Sequence, residues 1–250
     1  MNWYLQNGKE SDVVISTRVR LSRNIKGIPF ITRASKDELK EVYDKMKEIT
    51  PSLGYNLKFL SLDDMDSITK QSLVEKHLIS PDFAKTKMPY TAIIINDEEN
   101  ICIMVNEEDH IKLQVFTSGL DIDNLLNLAI EIDEKIESLV QYSYHEKYGF
   151  LTACPTNVGT GLKISTLVHI PALQLTGNLN KMLNIINNLG MNVRGLYGEG
   201  SKAEGDVYQV SNNQTLGITE KEIAKNLNLL AQKIIDQERL ARKYLSKNSL

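Results

Sequence analysis

The chain has 250 residues, of which 42% are hydrophobic and 24% are charged, with a formal net charge of −3. It is long enough for one large domain or two small ones, and its composition excludes an intrinsically disordered protein. The mildly acidic balance argues against a dedicated nucleic-acid binder. No apolar run reaches the roughly 20 residues that cross a bilayer, and the N-terminus lacks the pattern of a signal peptide. Because Cys102 and Cys154 form no CxxC pair, the sequence predicts a cytoplasmic protein in a reducing compartment, without a disulfide framework or a metal motif.

The predicted elements follow from the spacing of apolar residues. In chain order they are a strand at 13–19, a helix at 35–50, strands at 91–95, 101–105 and 111–116, a helix at 121–142, a strand at 164–170, a helix at 179–188, a strand at 207–210 and a long helix from 219. Ser35 with Glu38 and Thr219 with Glu222 form capping boxes, and Gly190 closes the short helix. Because the strands come in hairpins, the pattern predicts one continuous α+β domain over residues 1–250, with an antiparallel sheet flanked by helices.

The first polar segment covers residues 16–23 and contains Arg18 and Arg20, which point to the same face of a strand. Two neighbouring guanidinium groups repel each other unless an anion lies between them, and their planar forks suit phosphate oxygens. A nucleotide triphosphate is therefore one predicted guest. A solvated strand face paired with Asp or Glu is the alternative.

The second polar segment, residues 105–112, places Glu107, Glu108 and Asp109 between two apolar strands. Three adjacent acids at a strand end can bind a cation, hold a guanidinium group or supply a general base. A charged hairpin turn is the plainer interpretation.

The third segment, residues 151–163, contains Cys154, Gly159 and Gly161 and enters a strand at Lys163. The glycines allow close approach of the backbone, but this is not a Walker A loop, since Gly-Lys-Ser/Thr is missing and a strand follows. Cys154 is either a small buried hydrophobic residue or a reactive thiolate in a pocket wall.

The fourth segment, residues 194–205, begins with Arg194 and is rich in glycine. Glu199 lies between Gly198 and Gly200, which leaves its carboxylate unobstructed. Such a loop is typical either of a segment that closes over a substrate or of a mobile surface loop.

Taken together and in this order, the four segments resemble the catalytic domain of the phosphagen (ATP:guanido phosphotransferase) kinases. Within that family, the stretches at 154–161, 197–201 and 208–212, together with 75–81, look like the bacterial protein-arginine kinases of the McsB type. The resemblance covers nearly the whole chain. It implies a phosphagen-kinase (glutamine-synthetase-like) fold and in-line transfer of the γ-phosphoryl group of ATP to a guanidinium nitrogen.

The resemblance also implies the roles of individual residues. Arg18, Arg20 and Arg194, with Lys112 and Lys163, would clamp the phosphates of ATP, which would bind together with Mg²⁺. Glu108 would orient the guanidinium group and accept its proton. Glu199 and Cys154 would contact the same group.

The implied partners are proteins that carry the target arginines, a McsA-type activator and components of the Clp protease, which links the activity to stress-related regulation or degradation. The small helical domain that precedes the catalytic domain in phosphagen kinases is expected to be absent, as is the C-terminal extension of McsB-type proteins. An open substrate side of this kind suits arginine in a protein.

The chain departs from the family pattern at Lys112 and Lys163, where the family has arginine. Lysine keeps the charge but loses the bidentate fork. Two alternatives therefore stay open: a catalytically impaired pseudokinase that acts as a binding module, and a kinase for free arginine.

Overall fold

The computed structural model describes residues 2–195 and 204–248, and an antiparallel sheet of eight strands lies at its centre. The strands of the whole described chain are β1 (Val14–Arg23), β2 (Lys58–Ser61), β3 (Ala92–Ile95), β4 (Ile101–Val105), β5 (Ile111–Ser118), β6 (Tyr144–His145), β7 (Gly149–Phe150), β8 (Leu162–His169), β9 (Met191–Gly195) and β10 (Val207–Asn212). The order in the large sheet is β2-β3-β4-β5-β1-β8-β10-β9, and β6 and β7 form a separate small hairpin. β1 is thus a central strand, hydrogen-bonded to β5 on one side and to β8 on the other.

Seven helices flank the sheet within these residues. They are α1 (Lys36–Ile49), α2 (Ser67–Glu75), α3 (Pro81–Ala84), α4 (Ile122–Glu137), α5 (Pro171–Leu175), α6 (Leu179–Asn188) and α7 (Glu220–Asn248). None of the helices in the described part of the chain is both long and apolar enough to cross a membrane.

The two faces of the sheet have different chemistry because side chains alternate along each strand. One face packs against α1, α4 and α7 in the main core, to which β1 contributes Val19 and Leu21. On the other face, the segment from Leu62 to Phe83 covers β3, β4 and β5 in a second apolar cluster. The half of that face formed by β1, β8, β10 and β9 carries polar and charged side chains.

Most predicted elements are confirmed, including the antiparallel α+β architecture. The capping box of α1 forms, with the Ser35 backbone N–H donating to Glu38 over 2.7 Å, and Thr219 and Glu222 form the same arrangement before α7. α6 has its predicted bounds and is followed by Gly190 at φ +71°.

The predicted end of α4 at residue 142 is wrong. The helix ends at Glu137, and Tyr142 instead bridges to Ile25 and donates its hydroxyl to Asp133 over 3.0 Å. Tyr142 is buried like the apolar positions of the helix before it, so the apolar pattern of the sequence continues beyond the end of the helix. The short elements β2, β9, α2, α3 and α5 were not predicted, since each has too few apolar residues to show a period.

A buried guanidinium group holds the central strand to its surroundings. Arg23, at the end of β1, bonds Asp133 on α4 over 2.7 and 3.0 Å, donates to the carbonyl oxygen of Thr160 over 2.9 Å, and lies 3.6 Å from the centre of the Phe150 ring. The charged side chain of Arg23 therefore connects β1, α4 and the loop before β8. A buried pair of this kind is costly to break, because the remaining charge stays out of water.

We expect Asp133→Asn to lower the free energy of unfolding by about 3 kcal/mol, because Arg23 would keep a buried charge without its partner. The matched control is Asp97→Asn, which removes the partner of Lys58 in an exposed pair of 2.5 Å and should cost less than about 1 kcal/mol. Urea denaturation of both variants measures the difference. Equal losses would contradict a special role for the Arg23 pair.

Candidate active site

Cationic side chains from three strands meet on the half of the sheet that the apolar segment leaves uncovered. Arg18 and Arg20 alternate with Val19 on β1, and Arg20 lies directly opposite Lys163 on β8. Arg194 on β9 is opposite Gln209 on β10. Gln209 pairs with Leu167 on β8, and Leu167 pairs with Ser16 on β1, so Arg194 lies on the same face of the sheet as Ser16. We call Arg18, Arg20, Lys163 and Arg194 the cationic face. Pairing of β1 with β8 is what brings residues more than 140 positions apart into one row.

Three of these cations lack an acidic partner. Arg18, Arg20 and Lys163 are half-buried and make no ion pair or side-chain hydrogen bond with any residue that the structure describes. Within the described residues, the salt bridges to Asp or Glu that the alternative predicts do not form at Arg18 and Arg20. Half-buried cations of like sign without partners are stabilised by an anion with several oxygens, such as a chain of phosphates.

The charges of this group are coupled. Burial and the charge of Arg20 hold the pKa of Arg18 well below its usual range. Burial also lowers the pKa of Arg20, while Glu107 and Glu108 raise it and Arg194 lowers it. Burial, Arg20 and Arg194 lower the pKa of Lys163 to about 8, against the opposing effect of Cys154. The cationic face, the two glutamates and Cys154 thus share one electrostatic site.

Two carboxylates border the cationic face in the loop between β4 and β5. Lys112 on β5 contacts Glu107 and also donates to Glu108 over 3.2 Å. The side chain of Glu108 is 45% exposed, against 15% for Glu107, so Glu108 is the carboxylate that an incoming molecule reaches first. Sequence reasoning singled out Glu108 and placed Lys112 among the phosphate ligands; the structure pairs Lys112 with both acids. It did not single out Glu107, because the sequence does not reveal which of three adjacent acids contacts Lys112 and lies near Arg20.

The third acid of this segment, Asp109, lies in the interior and is hydrogen-bonded there. Asp109 is buried and accepts hydrogen bonds from Asn24 Nδ2 and from the backbone N–H of Ala153, both over 2.7 Å. Burial raises its pKa. The neighbouring His110 accepts from the backbone N–H of Ile25 over 3.0 Å. Asp109 therefore connects the loop that carries Glu108 to the loop that carries Cys154.

The Cys154 loop is held by close backbone contacts. The hydroxyl of Thr215 donates to the carbonyl oxygens of Thr156 and Val158, each over 2.8 Å. A β-carbon at Gly159, where φ is +114°, would lie 2.2 Å from the carbonyl oxygen of Thr215. The close approach predicted for this glycine is confirmed, and the group that approaches is the protein's own chain. Cys154 itself is half-buried, with its Sγ 3.0 Å from the hydroxyl of Thr156.

One predicted site residue cannot be placed. Glu199 and its flanking glycines lie in residues 196–203, outside the described part of the chain. Arg194, near the end of β9, is exposed and lies two residues before that segment.

A small cavity adjoins the cationic face at Arg18. It has a volume of about 60 Å³ open to the centres of water molecules, which corresponds to roughly four waters. Its lining residues are Trp3, Ser16, Arg18, His77, Phe116, Ser165, Leu167 and Gln209. Burial and the charge of Arg18 lower the pKa of His77, so its imidazole is neutral at pH 7. Sequence reasoning placed His77 in a stretch that carries the family resemblance, 75–81, but left its role open, and it did not consider Trp3 as a site residue.

Residues 34–241 match the family model of the ATP:guanido phosphotransferase C-terminal catalytic domain, which is most of the chain. The chain belongs to the ATP:guanido phosphotransferase family. β1, with Arg18 and Arg20, lies ahead of the matched range, but similarity to individual relatives extends over it.

The relatives fall in one branch of the family. The chain is 47% identical over 247 residues to a protein-arginine kinase of Halothermothrix orenii, covering 98% of this chain and 70% of the relative. It is 46% identical over 244 residues to a protein-arginine kinase of Clostridium novyi, covering 96% of this chain and 71% of the relative. The predicted resemblance to bacterial protein-arginine kinases is therefore confirmed.

Solved structures confirm the phosphagen-kinase fold. A lombricine kinase superposes with a TM-score of 0.82 at 25% identity, covering 95% of this chain and 69% of the other. The duplicated taurocyamine kinase of Schistosoma mansoni, with bound components of a transition-state analogue, gives 0.83 at 24% identity, covering 96% of this chain and 35% of the other.

The unpaired cations lead to a prediction about stability. Arg18→Met should raise the melting temperature of the ligand-free protein by about 2–4 °C, since it removes charge repulsion worth about 1 kcal/mol from a half-buried position. Lys112→Met is the matched control and should lower the melting temperature, because it leaves Glu107 and Glu108 without their shared partner. Calorimetry of both ligand-free variants checks the opposite signs. A fall in both would contradict the unpaired state of Arg18.

The lowered pKa of Lys163 leads to a pH-dependent prediction. In the ligand-free protein Lys163 is charged below and neutral above a pH of about 8, so affinity for ATP should fall as the pH rises through that value. In Lys163→Arg the side chain stays charged, and the decline between about pH 7 and about pH 9 should largely disappear. Isothermal titration calorimetry with ATP measures both profiles. A parallel decline in the two proteins would assign the titration to another group.

Proposed function

We propose that this protein is a protein-arginine kinase, which transfers the γ-phosphoryl group of ATP to arginine guanidinium groups in proteins and so marks them for stress-linked regulation or degradation. Family membership and close similarity to protein-arginine kinases support this function. The observation that carries it is the juxtaposition of unpaired cations with an accessible carboxylate, Glu108. One half of this site suits an anionic donor, and the other suits a cationic acceptor.

The donor half is the cationic face. Arg18 and Arg20 provide planar forks for phosphate oxygens, and Lys163 and Arg194 add charge from the neighbouring strands. The base of the nucleotide would lie towards the cavity at Arg18, whose walls include the aromatic Phe116 and His77. ATP bound in this way would extend from the cavity along the cationic face towards Glu108.

The acceptor half is the carboxylate pair. A guanidinium group is not nucleophilic until a nitrogen lone pair is freed, so Glu108 accepts a proton from the attacking nitrogen. The nitrogen–phosphorus bond forms as the bond between the γ-phosphorus and the ADP oxygen breaks, and the cationic face neutralises the charge on the departing ADP. Lys112, which contacts both Glu107 and Glu108, limits the repulsion between the two carboxylates beside the acceptor.

Two further residues belong to the acceptor half in this proposal. Cys154 would contact the guanidinium group through its sulfur, from a loop fixed by Thr215. Glu199 would pair with the remaining guanidinium nitrogens. Their contacts would orient the acceptor for in-line attack, which is the main source of rate enhancement in phosphoryl transfer.

Mg²⁺ would enter with the nucleotide. Mg²⁺ keeps several waters and binds through substrate phosphates rather than in an all-protein cage, so the proposal needs no site made of protein side chains alone. The bound ion would supply further charge neutralisation at the phosphates.

The cellular setting is part of the same proposal. The protein would act in the cytoplasm on folded or unfolded proteins with accessible arginines, and a McsA-type activator and Clp protease components would be its partners. No role in binding nucleic acid or membranes is proposed.

We expect Glu108→Gln to lower the rate of transfer by about 10²–10⁴-fold with little change in ATP affinity, because the amide cannot accept the proton. The measurement is ³²P transfer from ATP and Mg²⁺ to casein, followed by acid treatment, since a phosphorus–nitrogen bond hydrolyses in acid and a serine ester survives. Glu131→Gln, on the exposed surface of α4, is the matched control and should keep full activity.

Two outcomes would contradict this function and indicate a different one. Turnover of free arginine at the same rate as casein would indicate a free-arginine kinase. ATP binding without acid-labile label, with or without an activator, would indicate a pseudokinase in which Lys112 and Lys163 do not suffice.

A further inference from the structure

We propose that Asn24 and Asp109 are positioning residues for the transfer reaction, because their side chains hold the loops of Glu108 and Cys154 to each other and to β1. We call these two residues the bridging pair. The inference rests on the proposed function, in which Glu108 accepts the proton and Cys154 contacts the guanidinium group. Asn24 and Asp109 are 1% and 0% exposed, so they act through their neighbours and not by touching the substrate.

Glu108 lies in a short closed loop between β4 and β5. The backbone N–H of Asn106 donates to the carbonyl oxygen of His110 over 3.0 Å, and that of Glu107 donates to the carbonyl oxygen of Asp109 over 3.2 Å. These bonds close the loop on itself. A contact that fixes Asp109 therefore also fixes the backbone of Glu108, its direct neighbour.

One oxygen atom joins this loop to the loop of Cys154. Asp109 Oδ1 accepts from the backbone N–H of Ala153 and from Asn24 Nδ2, both over 2.7 Å. Ala153 directly precedes Cys154, and Asp109 directly follows Glu108. The proton acceptor and the thiol thus each lie next to a residue that takes part in the same hydrogen-bonded contact.

Asn24 connects both loops to the strand that carries Arg18 and Arg20. It directly follows Arg23, the last residue of β1. Its Nδ2 also donates to the carbonyl oxygen of Leu151 over 3.0 Å, and its Oδ1 accepts from the backbone N–H of His110 over 3.0 Å. The side chain of Asn24 therefore holds the acceptor half of the site to the strand of the donor half.

Stability alone does not account for a carboxyl group at position 109. Asp109 Oδ2 is buried and has no hydrogen-bond partner within the described residues, and burial raises the pKa of the group. A buried polar atom without a partner lowers the stability of a fold. Asp109 thus lowers stability through one oxygen and fixes two loops through the other, which is typical of a residue that supports the geometry of a site.

The first test is Asp109→Ala, which leaves Ala153 and Asn24 without their acceptor. We expect kcat for transfer to casein to fall roughly 10- to 100-fold with the KM for ATP unchanged, since a displacement of about 1 Å in an active site costs this much. Alkylation of Cys154 by iodoacetamide should become faster, because its loop is released. Cys102 does not interfere, since it is buried and its pKa is raised to about 12.

The matched control is Glu238→Ala, outside the site. Glu238 is also a fully buried carboxylate, and it accepts from the backbone N–H groups of Ala172 and Leu173 over 3.1 and 2.9 Å. This variant should lower the melting temperature but leave kcat and the alkylation rate unchanged. The same pattern in Asp109→Ala would show a merely structural role and overturn the inference.

The conservative variant is Asp109→Asn, which keeps an oxygen at the position of Oδ1. Because burial favours the neutral form of Asp109, the amide should keep kcat within about 3-fold of wild type. A loss as large as in Asp109→Ala would mean that the hydrogen bonds through Oδ1 are not what acts, and would contradict the positioning role.

Asn24→Ala tests the pair as a unit and decides the matter if Asp109→Ala does not fold. It keeps the bond between Asp109 and Ala153, so kcat should fall by only roughly 3- to 10-fold, and in the double variant the two losses should not multiply. Wild-type kcat in Asn24→Ala, or losses that multiply, would contradict a joint role.

Alkylation of Cys154 needs no phosphoryl transfer, so it tests the link between the loops separately from the kinase assay. A wild-type protein without acid-labile transfer would contradict the proposed function. Equal alkylation rates in wild type and Asp109→Ala would instead contradict the bridging pair.

Discussion

The cationic face of this molecule depends on the antiparallel register of β1 with β5 and β8. Alternation along β1 directs Val19 and Leu21 into the main core and turns Arg18 and Arg20 outward. A slip by one residue would bury both guanidinium groups and expose the apolar pair, so the core holds the charges in place. The repulsion between the neighbouring guanidinium groups is thereby offset by the burial of apolar side chains on the opposite face of the same strand.

Much of the fold could be predicted from local signals. Capping boxes located the starts of α1 and α7, and apolar periodicity located the strands of the sheet core. The elements that were missed or given wrong bounds have a common cause: tertiary contacts, rather than the local sequence, decide where they form and end. α4 ends before its apolar pattern does because Tyr142 packs back on Asp133, and β9 has only five residues and becomes a strand by pairing with β10. Neither contact can be recognised from a short stretch of sequence.

The site could be predicted in its residue types but only partly in its pairing. The strand position of Arg18 and Arg20 and the special conformation of Gly159 follow from local rules. The contact of Lys112 with two glutamates does not, because it depends on how the loop between β4 and β5 folds back over β5. His77 and Trp3 line the cavity from segments far from β1 in sequence or outside the four polar segments, and only the packing of the fold brings them to Arg18. The sequence alone gave neither residue a role.

The group formed by Lys112, Glu107 and Glu108 has a consequence for the end of the reaction cycle. Two carboxylates and one ammonium leave a single negative charge, which one incoming guanidinium group balances. In the proposed transfer Glu108 takes up the proton that the guanidinium group loses, so afterwards the three side chains carry no net charge. The attraction that would hold arginine beside them therefore weakens as the product forms.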